Sequence, residues 1–192
     1  LDSLSTDSSD LKKLKFEMVL DKTEDLKNAI DDVFESLYQA MLITFVIVVL
    51  FLRKIKETLV IALTIPITLL LTVWFMHTRN MSLNVLTLSG LILSIGMVVD
   101  NAILVVERIE DYRKLKLSRK EAGARGAADV AMALLMSTLT NAVIFLPVAF
   151  IEGGDTFTDL LNAFQIPILG SLFASLFVAL IFVPIIMMYA PS

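Results

Sequence analysis

Asp100 is the residue whose type and position most strongly indicate chemistry. It lies inside the apolar stretch from Val85 to Val106, and about 20 apolar helical residues are enough to cross the hydrocarbon of a bilayer. At about 1.5 Å rise per residue, Asp100 would lie about 7 Å from the midplane. A carboxylate there costs about 2.5 to 3.5 kcal/mol on insertion scales. We therefore interpret Asp100 as part of an ion or proton pathway that faces other helices rather than lipid.

Two neighbours of Asp100 extend this hypothesis. Gly96 lies one helical turn before Asp100 on the same side, which predicts that a neighbouring helix approaches closely there. Asn101 points about 100° away from Asp100 and is expected to contact a different neighbour. Glu107 stands at the end of the stretch beside Arg108, where a surface ion pair is expected rather than a relay role.

A later apolar stretch carries a cluster of small polar side chains. Ser137, Thr140 and Asn141 share one side of the expected helix, and as a cluster they are interpreted as a polar seam that can bond water or Asp100. For each residue alone, a hydrogen bond to its own helix backbone is the simpler interpretation.

The elements that position these residues are membrane-spanning helices. Of the 192 residues, 57% are hydrophobic, and the mean hydropathy is +0.81. We expect an all-α polytopic membrane protein in which Gly90 and Ser94 only pack helices, as do Gly170 and Ser175 in the last span. The five predicted spans cover residues 37–52, 58–76, 85–106, 127–150 and 164–189.

A polar lead-in precedes the first span. Phe16, Met18 and Leu20 alternate as in a half-buried strand, and Thr23 is a plausible N-cap for an amphipathic helix that feeds the first span. We therefore assign residues 1–36 to the end of an external domain with a strand-helix lead-in, and residues 37–192 to the transmembrane bundle. The start without a signal peptide indicates a piece of a longer protein.

Basic residues alternate between the links, which sets the expected topology. The link after span one and the link after span three are rich in Lys and Arg, whereas the opposite links contain Arg79 or only acidic residues. The positive-inside pattern places the N-terminus outside and the C-terminus in the cytoplasm. Nucleic-acid binding is the less favoured interpretation of these loops. Within the second basic link, Ser118 and Glu121 have capping-box spacing, which predicts a short helix there.

The segment Gly96 to Glu107 closely resembles the resistance–nodulation–division superfamily, specifically its AcrB-type efflux pumps. Further matching segments are Phe51-Leu52-Arg53, Ile65-Pro66 and the run from Phe145 to Gly154. The resemblance covers residues from Lys15 to the C-terminus. It implies that the spans belong to the first half of an RND-type helical bundle.

The resemblance also implies a function. The family consists of proton-driven antiporters of the bacterial inner membrane, usually homotrimeric, which work with a periplasmic adaptor and an outer-membrane channel. A carboxylate pair relays protons, and its positions map to Asp100 and Asn101, although Asn101 cannot titrate. The pair's Lys partner would lie in a second half of the transporter. We expect hydrophobic or amphiphilic cargo, no cofactor, no metal and no enzymatic activity.

Three other hypotheses remain at this point. A SecDF-like protein-export motor shares the superfamily, and its motif often continues as Glu107-Arg108-Ile109 does here. An intramembrane aspartyl protease would need two facing aspartates, whereas only Asp100 lies deep in a span and Asp129 is at a boundary. The chain would otherwise be a truncated scaffold, and alone we expect it to be inactive.

Overall fold

The protein is a bundle of long helices. The computed structural model describes residues 27–28, 31–32, 34–50, 54–149 and 156–189, and no strand occurs within these ranges. The all-α fold is confirmed. Its elements are α1 (Phe34–Leu50), α2 (Ile55–Thr78), α3 (Val85–Lys114), α4 (Arg119–Ala149), α5 (Thr156–Phe177), a π-helical turn (Val178–Phe182) and α6 (Val183–Tyr189).

The apolar helices match the predicted spans. Four are long and apolar enough to cross a membrane, within Ile55–Thr78, Val85–Lys114, Arg119–Phe145 and Leu160–Tyr189, and Phe34–Leu50 is a shorter apolar helix. The lead-in is described only in part. Residues 27–28 and 31–32 are helical, whereas the predicted strand at Phe16–Leu20 and the N-cap at Thr23 lie outside the described residues.

Capping boxes define the N-termini of helices α3 and α4. The Asn84 side chain accepts a hydrogen bond from the Thr87 backbone at 3.0 Å, and the Thr87 hydroxyl accepts one from the Asn84 backbone at 2.8 Å. The Ser118 hydroxyl donates to Glu121 at 2.9 Å and accepts from the Glu121 backbone at 3.3 Å. Each box satisfies backbone donors that the first helical turn leaves without partners.

The second box corrects one prediction. Ser118 does act as the cap, but the short helix expected in the basic link is not a separate element. The helix that begins at Arg119 continues without a break to Ala149. The alanine-rich sequence from Glu121 to Ala133 favours helix, and no proline interrupts it. Hydropathy predicted only the apolar part of this helix, because it detects residues that can lie in the hydrocarbon and not the polar turns that extend the helix beyond it.

Helix α3 is the centre of the bundle and packs closely on α5. A Cβ at Gly90 would lie 2.5 Å from the Phe164 carbonyl oxygen, so the two backbones meet there without an intervening side chain. Gly170 instead makes room for a side chain, since a Cβ there would lie 2.9 Å from the Phe75 ring of α2. The expectation that Gly90 and Gly170 serve helix packing is confirmed.

A charged cluster joins three helices at one end of the bundle. Lys54, at the N-cap of α2, donates to Glu110 of α3. Arg113 donates to Glu110 at 2.7 Å and to the Met187 carbonyl of α6. The hydrogen bond to Glu110 raises the pKa of Lys54 above its usual value, partly opposed by burial. These residues therefore hold helix ends together, besides adding charge to the links.

Candidate functional site

Adjacent residues of α3 point into different surroundings. Asn101 is 7% exposed, whereas Asp100 is exposed. The difference follows from helical geometry, because consecutive residues are rotated by about 100° around the axis. The sequence-based expectation that Asn101 contacts a different neighbour is therefore met, and that neighbour is α5.

The Asn101 amide bonds a serine that is distant in sequence. Asn101 Nδ2 donates to Ser175 Oγ at 2.8 Å, across 74 residues of chain. The Ser175 hydroxyl in turn donates to the Leu172 carbonyl at 2.9 Å. Ser175 is 1% exposed. The sequence marked Ser175 only as a small packing residue, because nothing local signals a partner so far along the chain.

Asp100 belongs to a surface that no described helix covers. We call it the open face and define it by Leu93, Gly96, Asp100, Leu104 and Glu107, all exposed residues of α3. Leu93 is 53% and Leu104 39% exposed. Within the described residues, no side chain bonds or pairs with the Asp100 carboxylate. An acid thus stands in the middle of an otherwise apolar helix face.

The open face is uncrowded at Gly96. A Cβ built there meets no atom within 4 Å. The predicted close approach at Gly96 is thus not made by any helix that the structure describes. It stays a prediction that concerns a helix outside this chain.

The candidate polar seam of α4 is divided between two environments. Ser137 and Thr140 are exposed, and the Thr140 hydroxyl donates to the Met136 carbonyl of its own helix at 2.8 Å. Asn141 is half-buried. Thr138 points into the bundle instead, and its buried hydroxyl has no hydrogen-bond partner in the described part of the chain. No hydrogen bond joins Ser137, Thr140 or Asn141 to Asp100 in that part.

One ion pair corrects the expectation for Glu107. The expected surface pair of Glu107 with Arg108 does not form, because Arg108 turns to Asp129 of α4. Its guanidinium also lies 5.6 Å from the centre of the Tyr112 ring. Glu107 is left on the open face without a partner among the described residues.

Ionisable groups are sparse around Asp100. Residues 39–50, 58–76, 130–149 and 160–188, which form the apolar parts of the other helices, contain no Asp, Glu, His, Lys, Arg, Cys or Tyr. In the part of the chain that the structure describes, no three histidine or acidic side chains are grouped closely enough to hold a metal ion. Among the described residues, Asp100 is therefore the one ionisable group in the apolar middle of the bundle.

These features define a polytopic helical membrane protein whose central helix carries one acid, Asp100, within its apolar stretch, on a face that no described helix covers. Comparison with known proteins then gives the family. The sequence profile of the AcrB/AcrD/AcrF family matches residues 8–189. The chain belongs to this family, which confirms the resemblance to resistance–nodulation–division pumps.

Several characterised relatives are similar over most of the chain. Multidrug resistance protein MdtF of Escherichia coli is 31% identical over 85% of this chain and 16% of its own length. Toluene efflux pump membrane transporter TtgB of Pseudomonas putida is 34% identical over the same shares. Swarming motility protein SwrC of Bacillus subtilis is 32% identical over 92% of this chain and 17% of its own length. The chain thus spans about a sixth of these relatives.

Proposed function

We propose that this chain is part of a proton-driven efflux transporter of the bacterial inner membrane that exports hydrophobic or amphiphilic compounds. The family membership supports transport, and two relatives carry names that denote multidrug resistance and toluene efflux. No match favours the SecDF-like alternative. The proposal concerns the complete transporter, of which this segment forms one part of the membrane region.

Asp100 is the proton-carrying group in this proposal. The observation that supports it is the exposed carboxyl on the open face, in the apolar stretch of helix α3, which has no partner among the residues that the structure describes. An acid at membrane depth is costly unless it faces other helices or water. Gly96 beside it leaves room for a further helix to approach. We expect that helix to belong to a second half of the transporter and to bring a cation to Asp100.

The energetics follow from moving one acid between two surroundings. A carboxyl in apolar surroundings holds its proton, whereas a nearby cation favours the charged form. Alternation between these states lets Asp100 take up a proton on one side of the membrane and release it on the other. Each pH unit supplies about 1.4 kcal/mol, and each 100 mV adds about 2.3 kcal/mol per charge. Coupling this energy to a conformational cycle drives export.

The neighbouring polar groups have subsidiary roles. Asn101 belongs to the relay motif as its uncharged member. Ser137, Thr140 and Asn141 would provide hydroxyl and amide groups along which water reaches the carboxyl. The exposure of Ser137 and Thr140 in the present helices supports this role, since both remain accessible to a partner helix or to water.

The remaining proposals concern orientation and assembly. The basic links favour a periplasmic α2–α3 turn and a cytoplasmic α3–α4 turn, with the N-terminus outside and the C-terminus inside. By the family resemblance, residues 1–36 end a periplasmic porter domain. The complete protein forms a homotrimer with a periplasmic adaptor and an outer-membrane channel.

The test is removal of the acid in the complete transporter. We expect Asp100→Asn to reduce dye efflux to the level of cells that lack the transporter, because the amide cannot bind and release a proton. Glu107→Gln is the matched control, since it removes an acid from the same helix face outside the apolar stretch, and this acid too has no partner within the described ranges. Efflux of a hydrophobic dye by energised cells, normalised to protein in the membrane, measures both.

Two outcomes would contradict the proposal. Wild-type efflux in Asp100→Asn would exclude the carboxyl as the proton carrier. Equal losses in Asp100→Asn and Glu107→Gln would mean that acids of the open face matter only for assembly.

A further inference from the structure

In the hydrogen bond between Asn101 and Ser175, Asn101 is the donor and Ser175 is the acceptor. Ser175 Oγ lies 2.9 Å from the Leu172 carbonyl, to which it donates, and 2.8 Å from Asn101 Nδ2, from which it accepts. Both residues are buried. A serine hydroxyl has one proton, and here the Leu172 carbonyl receives it. As long as the hydroxyl keeps this orientation, the residue at position 101 has to donate.

Only some side chains can meet that requirement. An amide donates at every pH, a carboxylate has no proton to donate, and a carboxylic acid donates only while it is protonated. A buried polar group that is left without a hydrogen-bond partner lowers the stability of the protein by about 1–3 kcal/mol. With the Ser175 hydroxyl on Leu172, position 101 suits an amide at every pH and an acid only in its protonated form, whereas a carboxylate would require the hydroxyl to turn away from Leu172.

The surroundings reinforce this interpretation. The helix facing Asn101 contains no ionisable residue from Leu160 to Met188, and α2 and α4 contain none in residues 58–76 and 130–149. On α3 itself, Asp100 is the one ionisable residue between Val85 and Val106. The close approach of Gly90 to the Phe164 carbonyl gives α3 and α5 a second contact, eleven positions before Asn101.

We propose that Asn101 is a fixed hydrogen-bond donor that holds α3 against α5 through Ser175, so that Asp100 is the single proton-carrying group of this half of the transporter. The positioning role of Asn101 rests on the contact alone, whereas the role of Asp100 as the single proton carrier rests on the proposed function. Because the hydrogen bond from the Asn101 amide to Ser175 does not respond to pH, α3 and α5 stay together while Asp100 gains or loses its proton. Movement is then confined to the open face, and Asn101 is a positioning residue.

The first experiment measures the contact in the purified complete protein. We expect Asn101→Asp to make the thermal unfolding midpoint depend on pH. At low pH the acid is protonated and donates to Ser175, so the midpoint should be close to that of the wild type. As pH rises the acid loses the proton that it donates, and the midpoint should fall. The wild type should lack this contribution, because the Asn101 amide does not titrate. In Asn101→Asp combined with Ser175→Ala, the midpoint at low pH should fall below that of Asn101→Asp alone, because the acceptor used by the protonated acid has been removed.

Ser171 provides the matched control. It is buried on the same helix one turn earlier, and its hydroxyl donates to the Ile168 carbonyl at 2.8 Å. No residue in the described part of the chain donates to it. Ser175→Ala should therefore lower the unfolding midpoint more than Ser171→Ala. Equal effects of the two serine variants, or a pH-independent midpoint in Asn101→Asp, would overturn the positioning role.

The second experiment counts the protons. Infrared difference spectra of the complete protein in lipid, recorded between two pH values, should show one carboxylic-acid carbonyl band that Asp100→Asn removes. Asn101→Asp should add a second band. A band of wild-type amplitude in Asp100→Asn would overturn the single-carrier inference. These measurements do not depend on transport. The spectra can therefore contradict the single-carrier inference while the Asp100→Asn efflux test supports the proposed function, and the spectra can support the inference while the efflux test contradicts the function.

Discussion

Two glycines of α3 look alike in the sequence and differ completely in the structure. Gly90 meets the backbone of α5, whereas the position of a Cβ at Gly96 is open. Helical periodicity correctly grouped Gly96 with Asp100, but it could not tell which face a partner helix covers. That information depends on residues far along the chain or outside it, as does the Asn101–Ser175 contact.

The two glycines give a paired prediction. Gly90→Ala should destabilise the protein by about 1–3 kcal/mol, since the added carbon must displace backbone rather than a flexible side chain. Gly96→Ala in the isolated segment should be neutral or stabilising by up to about 1 kcal/mol, because alanine favours helix. Unfolding in mixed detergent micelles measures both.

The complete transporter offers the complementary comparison. If a helix of the second half packs on the open face, Gly96→Leu should reduce efflux there while the isolated segment keeps its stability. Equal tolerance of Gly90→Ala and Gly96→Ala in the segment would contradict the packing described for α3 and α5.

At the scale of elements, the charged residues of the links have more than a topological role. Counting Lys and Arg predicted sidedness, and the same residues turned out to bind specific partners. Lys54 and Arg113 meet at Glu110, and Arg108 meets Asp129. Composition could predict that basic residues lie at these helix ends. It could not predict pairs between helices, because these depend on the rotation of each helix about its axis.

The cluster at Glu110 gives an element-scale prediction. Arg113→Met should lower stability by about 1.5–3 kcal/mol, because it removes charge-assisted hydrogen bonds to Glu110 and to the end of α6. Lys114→Met is the control, since Lys114 forms an exposed pair with Asp111 on the same helix, with side chains 69% and 53% exposed. It should change little. Proteolysis near Tyr189 should also increase in Arg113→Met alone.

The prediction would be wrong if both substitutions had the same small effect. In that case the ends of α3 and α6 would be held by apolar packing, in which Ile109 and Val183 are both fully buried.

For the whole molecule, hydropathy predicted the order of the apolar helices, of which four are long and apolar enough to cross a membrane and Phe34–Leu50 is shorter. A bilayer requires long apolar helices with internally bonded backbone, so composition and architecture are closely linked. Extra-membrane helix is not subject to that requirement. This explains why α3 and α4 extend beyond the predicted span boundaries at Val106 and Ala127, and why the continuous start of α4 was missed.

Orientation can be tested because the chain contains no cysteine. In a transporter without other cysteines, Ser82→Cys should react with an impermeant maleimide in intact spheroplasts. Lys120→Cys should react only after permeabilisation. Both positions are exposed, one in the turn before α3 and the other in the first turn of α4, so accessibility reports sidedness. The reverse pattern would invert the proposed topology.

The π-helical turn from Val178 to Phe182 has a consequence for length variation in this protein. Such a turn accommodates one surplus residue between two regular stretches. Deleting one residue there would convert it into an ordinary α-helical turn and leave α5 and α6 aligned as before. The same deletion between Gly90 and Asp100 would swing the acid by about 100° relative to Gly90. Deletion of one residue should therefore be tolerated between Val178 and Phe182 and should abolish function between Gly90 and Asp100.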